Sequence, residues 1–163
     1  MLKLCSKLSQ LSFSGLMAVY VEGNRENGEE RYPHETQARQ LALAEEDFYD
    51  YLRNVFFKTD RAMYALWEEN GEYVSALRLE PYRDGLLLEG LETTPQHRGK
   101  GCASMLVRAV LDEYEGQKIY SHVGKKNRAS LAVHGKAGFR RILDHAVYID
   151  GSVNNRCCTF LFP

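Results

Sequence analysis

The chain has 163 residues, of which 44% are hydrophobic and 26% charged, and its formal net charge is −1. That length suits one domain with a core large enough to need no metal or disulfide staple. The balance excludes global disorder and offers no bulk basic field for nucleic acid.

No run approaches the ~18 apolar residues of a membrane span. Lys3 and Lys7 precede a short apolar run at 16–21, which is too brief for an export signal and lacks a small-residue cleavage site. Cys5, Cys102, Cys157 and Cys158 form no C-x-x-C pair, so they read as reduced thiols of a cytoplasmic protein. No His/Cys spacing supports zinc, and no metal is expected.

Residues 1–8 alternate enough for a short strand, and 11–20 suit a helix or a buried turn. Residues 23–31 contain no apolar side chain and read as an exposed loop. Residues 36–54 are expected to be helical, because Leu41, Ala44, Phe48, Tyr51, Leu52 and Val55 recur at three- and four-residue spacing. Glu45, Glu46, Asp47 and Asp50 give that helix a solvated acidic face, or one that attracts a cationic acceptor.

The period then shortens to two. Residues 62–68 and 73–79 form strands around an Asn70-Gly71 turn. A second turn ending in Asp84-Gly85 leads to a third strand at 86–93. After this meander come a glycine-containing loop at 94–100, a helix at 101–115 and a strand at 118–123. A helix at 128–137 is ended by Gly138. The last strands are 139–150 and 156–162, joined by a turn at 151–155.

The segment 93–103, Thr-Thr-Pro-Gln-His-Arg-Gly-Lys-Gly-Cys-Ala, joins a strand to an amphipathic helix. The first N–H groups of a helix lack internal partners and sit at the positive end of its dipole, which makes an anion site. Gly99 and Gly101 let the backbone approach closely, and Arg98 and Lys100 add charge. A pyrophosphate is the natural ligand. The Walker pattern is absent. The dinucleotide fingerprint fails at Ser104 and lies in the wrong strand context.

Gln96-His97-Arg98-Gly99-Lys100-Gly101 resembles the acyl-CoA motif Q/R-x-x-G-x-G/A of the GCN5-related N-acetyltransferase (GNAT) superfamily. Residues 127–139, Asn-Arg-Ala-Ser-Leu-Ala-Val-His-Gly-Lys-Ala-Gly-Phe, are similar to its second motif. The resemblance spans 62–163 well and rests only on element order before residue 60.

It implies a single α/β (α+β) domain over 1–163, with a twisted, mostly antiparallel mixed sheet flanked by helices and splayed at its centre. It implies that the backbone of Leu91, Glu92 and Thr93 pairs with pantetheine. The amides of Arg98, Gly99, Lys100, Gly101, Cys102 and Ala103 would hold the pyrophosphate beneath His97. Asn127 and Ser130 would contact the lower cofactor, and Lys125, Lys126 or Lys136 the 3′-phosphate. Cys102 would pack beneath the loop.

The implied reaction is direct acetyl transfer from acetyl-CoA to a primary amine of a small molecule or peptide, in a ternary complex. An alkylammonium of pKa ~10.4 must first lose a proton, and a backbone N–H near Thr93 would hold the oxyanion. The family's leaving-group acid is a tyrosine, replaced here by His134. A protonated His134, favoured by nearby phosphate, is the expected acid; the alternative is a packing role. Glu89 is the expected base and Glu92 the second candidate. Strand parity puts these two carboxylates on opposite faces. The rival functions are a non-catalytic acyl-CoA sensor and a nucleotide-binding module. The resemblance also makes residues 157–162 the expected edge of a homodimer.

Overall fold

The computed structural model describes residues 1–163. Strand β1 (Leu2–Cys5) precedes helices α1 (Phe13–Val19), α2 (Val21–Arg31) and α3 (Gln37–Asn54). The meander is β2 (Met63–Glu69), β3 (Glu72–Tyr82) and β4 (Gly85–Thr93). Then follow α4 (Cys102–Glu113), β5 (Ile119–Gly124), α5 (Arg128–Ala137) and β6 (Arg140–Leu143). The chain ends with β7 (Ala146–Val147), β8 (Val153–Asn154) and β9 (Cys157–Phe162).

Seven strands form one sheet in the order β1-β2-β3-β4-β5-β9-β6, and β7 pairs with β8 separately. Every neighbouring pair is antiparallel except β4 and β5, which are parallel. On one face, Leu77, Leu79, Leu86 and Leu88 pack with Leu106, Val107 and Val110 of α4. On the other, Tyr64, Leu66 and Ala76 pack with Leu16 and Val19 of α1 and Leu52 of α3. Burial of each large aliphatic side chain contributes about 1.5–3 kcal/mol. No helix is long and apolar enough to cross a membrane.

The sheet opens in the middle. The ladder between β4 and β5 runs only from Leu86↔Ile119 to Leu88↔Ser121. Beyond it, β5 stays with β9 as far as Gly124, while β4 stays with β3. The divergence coincides with a bulge, because the β3–β4 register shifts between Ala76 and Arg78. Gly90, within the bulge, has φ +58°, a left-handed conformation that favours glycine. The Tyr20 hydroxyl donates to its carbonyl at 2.6 Å.

Three expectations are corrected. Residues 23–31 are not a loop; they are helical within α2, whose buried residues are Asn24 and Gly28 rather than an apolar stripe. The strand expected over 139–150 breaks at Asp144 and His145, where the His145 carbonyl turns to accept from Thr159 Oγ1 at 2.7 Å. The segment 157–162 offers no free edge for a dimer, because β9 is hydrogen-bonded on both sides, to β5 and to β6.

Candidate active site

The loop after β4 is built for an anion. Thr94 Oγ1 and His97 Nδ1 lie 2.8 Å apart and staple its first turn. Gly99 and Gly101 follow at φ +75° and +84°, and a Cβ on either would meet nothing within 4 Å. Their N–H groups donate to no backbone carbonyl. The first amides of α4, those of Cys102 and Ala103, also lack intrahelical acceptors. These donors line a groove of about 690 Å³ that also takes in Glu92, Thr93, His97, Asn127 and Ser130. Bare amides, a positive helix terminus and open space together fit a diphosphate. Gln96 and Lys100 stand outside the lining.

Arg98 is bent across the groove. Its Nε donates to the Thr93 carbonyl at 3.2 Å, and its Nη1 meets Glu22 Oε2 at 2.6 Å. Cys102 is 3% exposed, and burial pushes its thiol pKa up. It therefore packs as a neutral thiol, against its placement at a helix start. Lys125 is paired with Asp144 at 3.3 Å.

The groove runs into the splay. A second cavity, of about 190 Å³, lies between β4 and β5 and is lined by Glu89, Gly90, Leu91, Ser121, His122 and His134, among others. Leu91, Asn127 and Ser130 line both cavities, which therefore adjoin at these residues. Thr94 N–H donates to the Val74 carbonyl of β3 at 2.9 Å. Backbone groups alternate along a strand, so those of Leu91 and Thr93 face the opening.

His134 differs from expectation in its charge. Asn127 caps α5 by accepting from Ser130 N–H at 3.1 Å. One turn on, His134 Nδ1–H donates to the Ser130 carbonyl at 2.8 Å. Its Nε2 lies 2.8 Å from Ser121 Oγ, and that hydroxyl also donates to the Leu88 carbonyl at 3.2 Å. The residue is 1% exposed, and burial holds its pKa below the ordinary histidine value. Both ring nitrogens are thus engaged, and burial works against the charged form expected of a leaving-group acid.

The carboxylates differ too. The bulge adds one residue to β4, so Arg78 pairs with Glu89 while Ala76, on the same face of β3, pairs with Glu92. Glu89 and Glu92 thus share the face covered by α1–α3, where simple alternation separates them. Glu89 Oε2 is 3.9 Å from Arg78 Nη2. Neighbouring Glu80 is raised by burial first and by the charge of Glu89 second. Glu92 points at α2 and is raised to about 7 by burial, with Glu26 and Glu22 adding repulsion against the opposing pull of Arg98.

Sequence reasoning missed His122. It follows Ser121 on β5, so it emerges on the same face as Glu89. Parity applied to β5, as it was to β4, exposes it. No cluster of three or more His, Cys, Asp or Glu side chains is placed to hold a metal ion.

This fold has known counterparts. Residues 23–139 match the Acetyltransferase (GNAT) family, well over half of the chain, and the chain belongs to that family. The fold is similar to the ribosomal-protein-S18-alanine N-acetyltransferase of Escherichia coli, at 17% identity and TM-score 0.60, with 100% of this chain and 94% of that one covered. An aminoglycoside 6′-acetyltransferase type Ii superposes with TM-score 0.63 at 12% identity, covering 99% and 96%. The Thermoplasma acidophilum PaiA N-acetyltransferase, solved with coenzyme A, gives 0.57 at 12%, covering 99% and 98%. Among curated protein sequences none matches.

Proposed function

We propose that this chain is an acetyl-CoA-dependent N-acetyltransferase that passes the acetyl group to a primary amine by direct attack in a ternary complex. The observation that carries the reading is that the amide-lined groove at Gly99–Ala103 adjoins the slot between β4 and β5 at Leu91, Asn127 and Ser130. Acetyl-CoA, when bound, supplies the thioester carbonyl that an amine attacks.

The protein's part is positioning and electrostatics. The amides of Gly99, Gly101, Cys102 and Ala103 bind the diphosphate. The outward-facing groups of Leu91 and Thr93 pair with the pantetheine arm, and one of their N–H groups steadies the carbonyl oxygen as it gains charge. Asn127 and Ser130 line the junction of the two cavities. The acceptor enters from the α1–α3 face, where Glu89 and Glu92 favour a cationic amine. His134 holds Ser121 and closes one wall of the slot, acting as a positioning residue.

The test is release of free CoA from acetyl-CoA over a panel of primary amines, alongside calorimetric titration with acetyl-CoA. Amine-dependent release supports the enzyme. Binding without release identifies a sensor, and no binding rejects both.

A further inference from the structure

We infer that His122 is the general base of this site, taking the proton from the acceptor amine. The inference rests on the N-acetyltransferase reading above and names the group that reading leaves open.

Four observations converge on His122. Both ring nitrogens are buried, yet neither has a hydrogen-bond partner within the protein. An unpaired buried polar atom is costly, and a functional site is one place where such a cost is retained. The residue lines the slot together with Glu89 and Leu91, at the point where β4 and β5 part. Its ring is held edge-on by Tyr82 at 5.5 Å and by Tyr148 at 5.3 Å, which fixes its orientation without using its nitrogens. By contrast, both nitrogens of His134 are occupied, and Glu89 faces Arg78.

The surrounding charges keep the ring basic in form. Burial lowers the His122 pKa, and the positive charge of Arg83 lowers it further. Glu89 lines the same slot. The phenol rings of Tyr82 and Tyr148 pack against it, and burial pushes the Tyr148 hydroxyl up. The imidazole therefore stands neutral and able to accept a proton.

The step balances. A neutral ring nitrogen of His122 takes one proton from the ammonium. The freed lone pair forms the C–N bond as the C–S bond breaks. The nitrogen's second proton passes to the departing sulfur, giving the thiol, and His122 returns its own proton to water.

The identity of the base also narrows the acceptor. An α-ammonium is more acidic than a lysine ε-ammonium by more than ~2 pK units. Burial makes His122 a weaker base than an ordinary imidazole, so it takes a proton more readily from the more acidic donor. The site should therefore favour α-amino acceptors over alkylammonium side chains.

The experiment uses the full chain and its His122→Gln and Glu89→Gln variants. Each is checked for the wild-type unfolding temperature, with His122→Asn as a second variant should glutamine perturb the fold. CoA release is followed from pH 5.5 to 10 with a short peptide bearing a free α-amine and with an α-blocked lysine peptide. The inference predicts that His122→Gln lowers kcat/KM at pH 7 on the order of 100-fold and keeps acetyl-CoA affinity within about twofold. The variant's residual rate should climb with pH up to the amine's own pKa, whereas the wild type levels off earlier. The wild type should prefer the α-amine. A His122→Gln rate within threefold of wild type with an unchanged pH profile overturns the assignment. So does loss of the profile in Glu89→Gln alone. A wild-type protein that acetylates other amines of the panel but neither peptide overturns the α-amine preference; one that binds acetyl-CoA and acetylates no amine of the panel overturns the enzyme reading itself, and His122 as base falls with it.

Discussion

Gly28 packs so tightly against Gln40 that a Cβ on the glycine would lie 2.5 Å from the Gln40 carbonyl oxygen. This contact joins α2 to α3 without any apolar stripe. Asn24 Nδ2, on the same helix, donates to Met17 Sδ at 3.3 Å. Gly28→Ala gains up to about 1 kcal/mol of helix propensity but forces two backbones apart. The expected net effect is a loss of about 1–2 kcal/mol, read as a lower unfolding temperature. Because α2 carries Glu22 and Glu26 to the groove, acetyl-CoA affinity should change as well.

The pair formed by Arg98 and Glu22 at 2.6 Å holds the arginine away from any anion in the groove. Both side chains are about half exposed, so the pair itself adds little stability, ~0–1 kcal/mol. Glu22→Ala should leave the unfolding temperature nearly unchanged and tighten acetyl-CoA binding by roughly threefold to tenfold. The gain should shrink in high salt. Calorimetric titration at two ionic strengths checks both statements.

Glu92, raised to about 7, makes stability depend on pH. Its folded pKa lies above the unfolded one, so between about 4.5 and 7 the native state holds the extra proton. Stability from this group therefore falls as pH rises through that window, which is the opposite of a salt-bridged carboxylate. Glu92→Gln removes the burden. It should raise the unfolding temperature at pH 8 and leave it unchanged at pH 4, with a gain on the order of 1 kcal/mol once partial exposure is discounted.

His134 should prove structural. His134→Gln leaves the Ser130 carbonyl and the Ser121 hydroxyl with poorer partners, a cost of about 1–3 kcal/mol. A residue whose charged form is disfavoured by burial and which only positions its neighbours adds no ionisation to the rate. The pH profile of CoA release should therefore keep its shape in the variant. Disappearance of an alkaline limb would instead make His134 the proton donor to sulfur.

Much of this architecture was legible because it rests on periodicity and turn chemistry. Asn70-Gly71 and Gly138 marked their turns, and the apolar face of α4 set its packing. The anion loop was legible because its chemistry is local, with glycines at a helix start after a strand. Three features escaped for physical reasons. Helix α2 docks through Gly28 and Asn24, which carry no hydropathy signal. The bulge at Gly90 adds one residue, and that alone moves Glu92 to the face of Glu89. The ionisation of His134 depends first on its burial against other elements, and sequence spacing does not show that burial.

The most direct test compares two competitors of acetyl-CoA, coenzyme A and pantetheine, which share the thiol arm; coenzyme A adds the diphosphate and the 3′-phosphoadenosine it carries. If the amides of Gly99, Gly101, Cys102 and Ala103 hold the diphosphate, coenzyme A should bind at least 100-fold tighter than pantetheine. Gly99→Asp, which sets a carboxylate before those amides, should erase the difference while leaving pantetheine binding intact. Equal affinities for the two competitors in the wild-type protein, or a preference for coenzyme A that survives Gly99→Asp, would contradict the account.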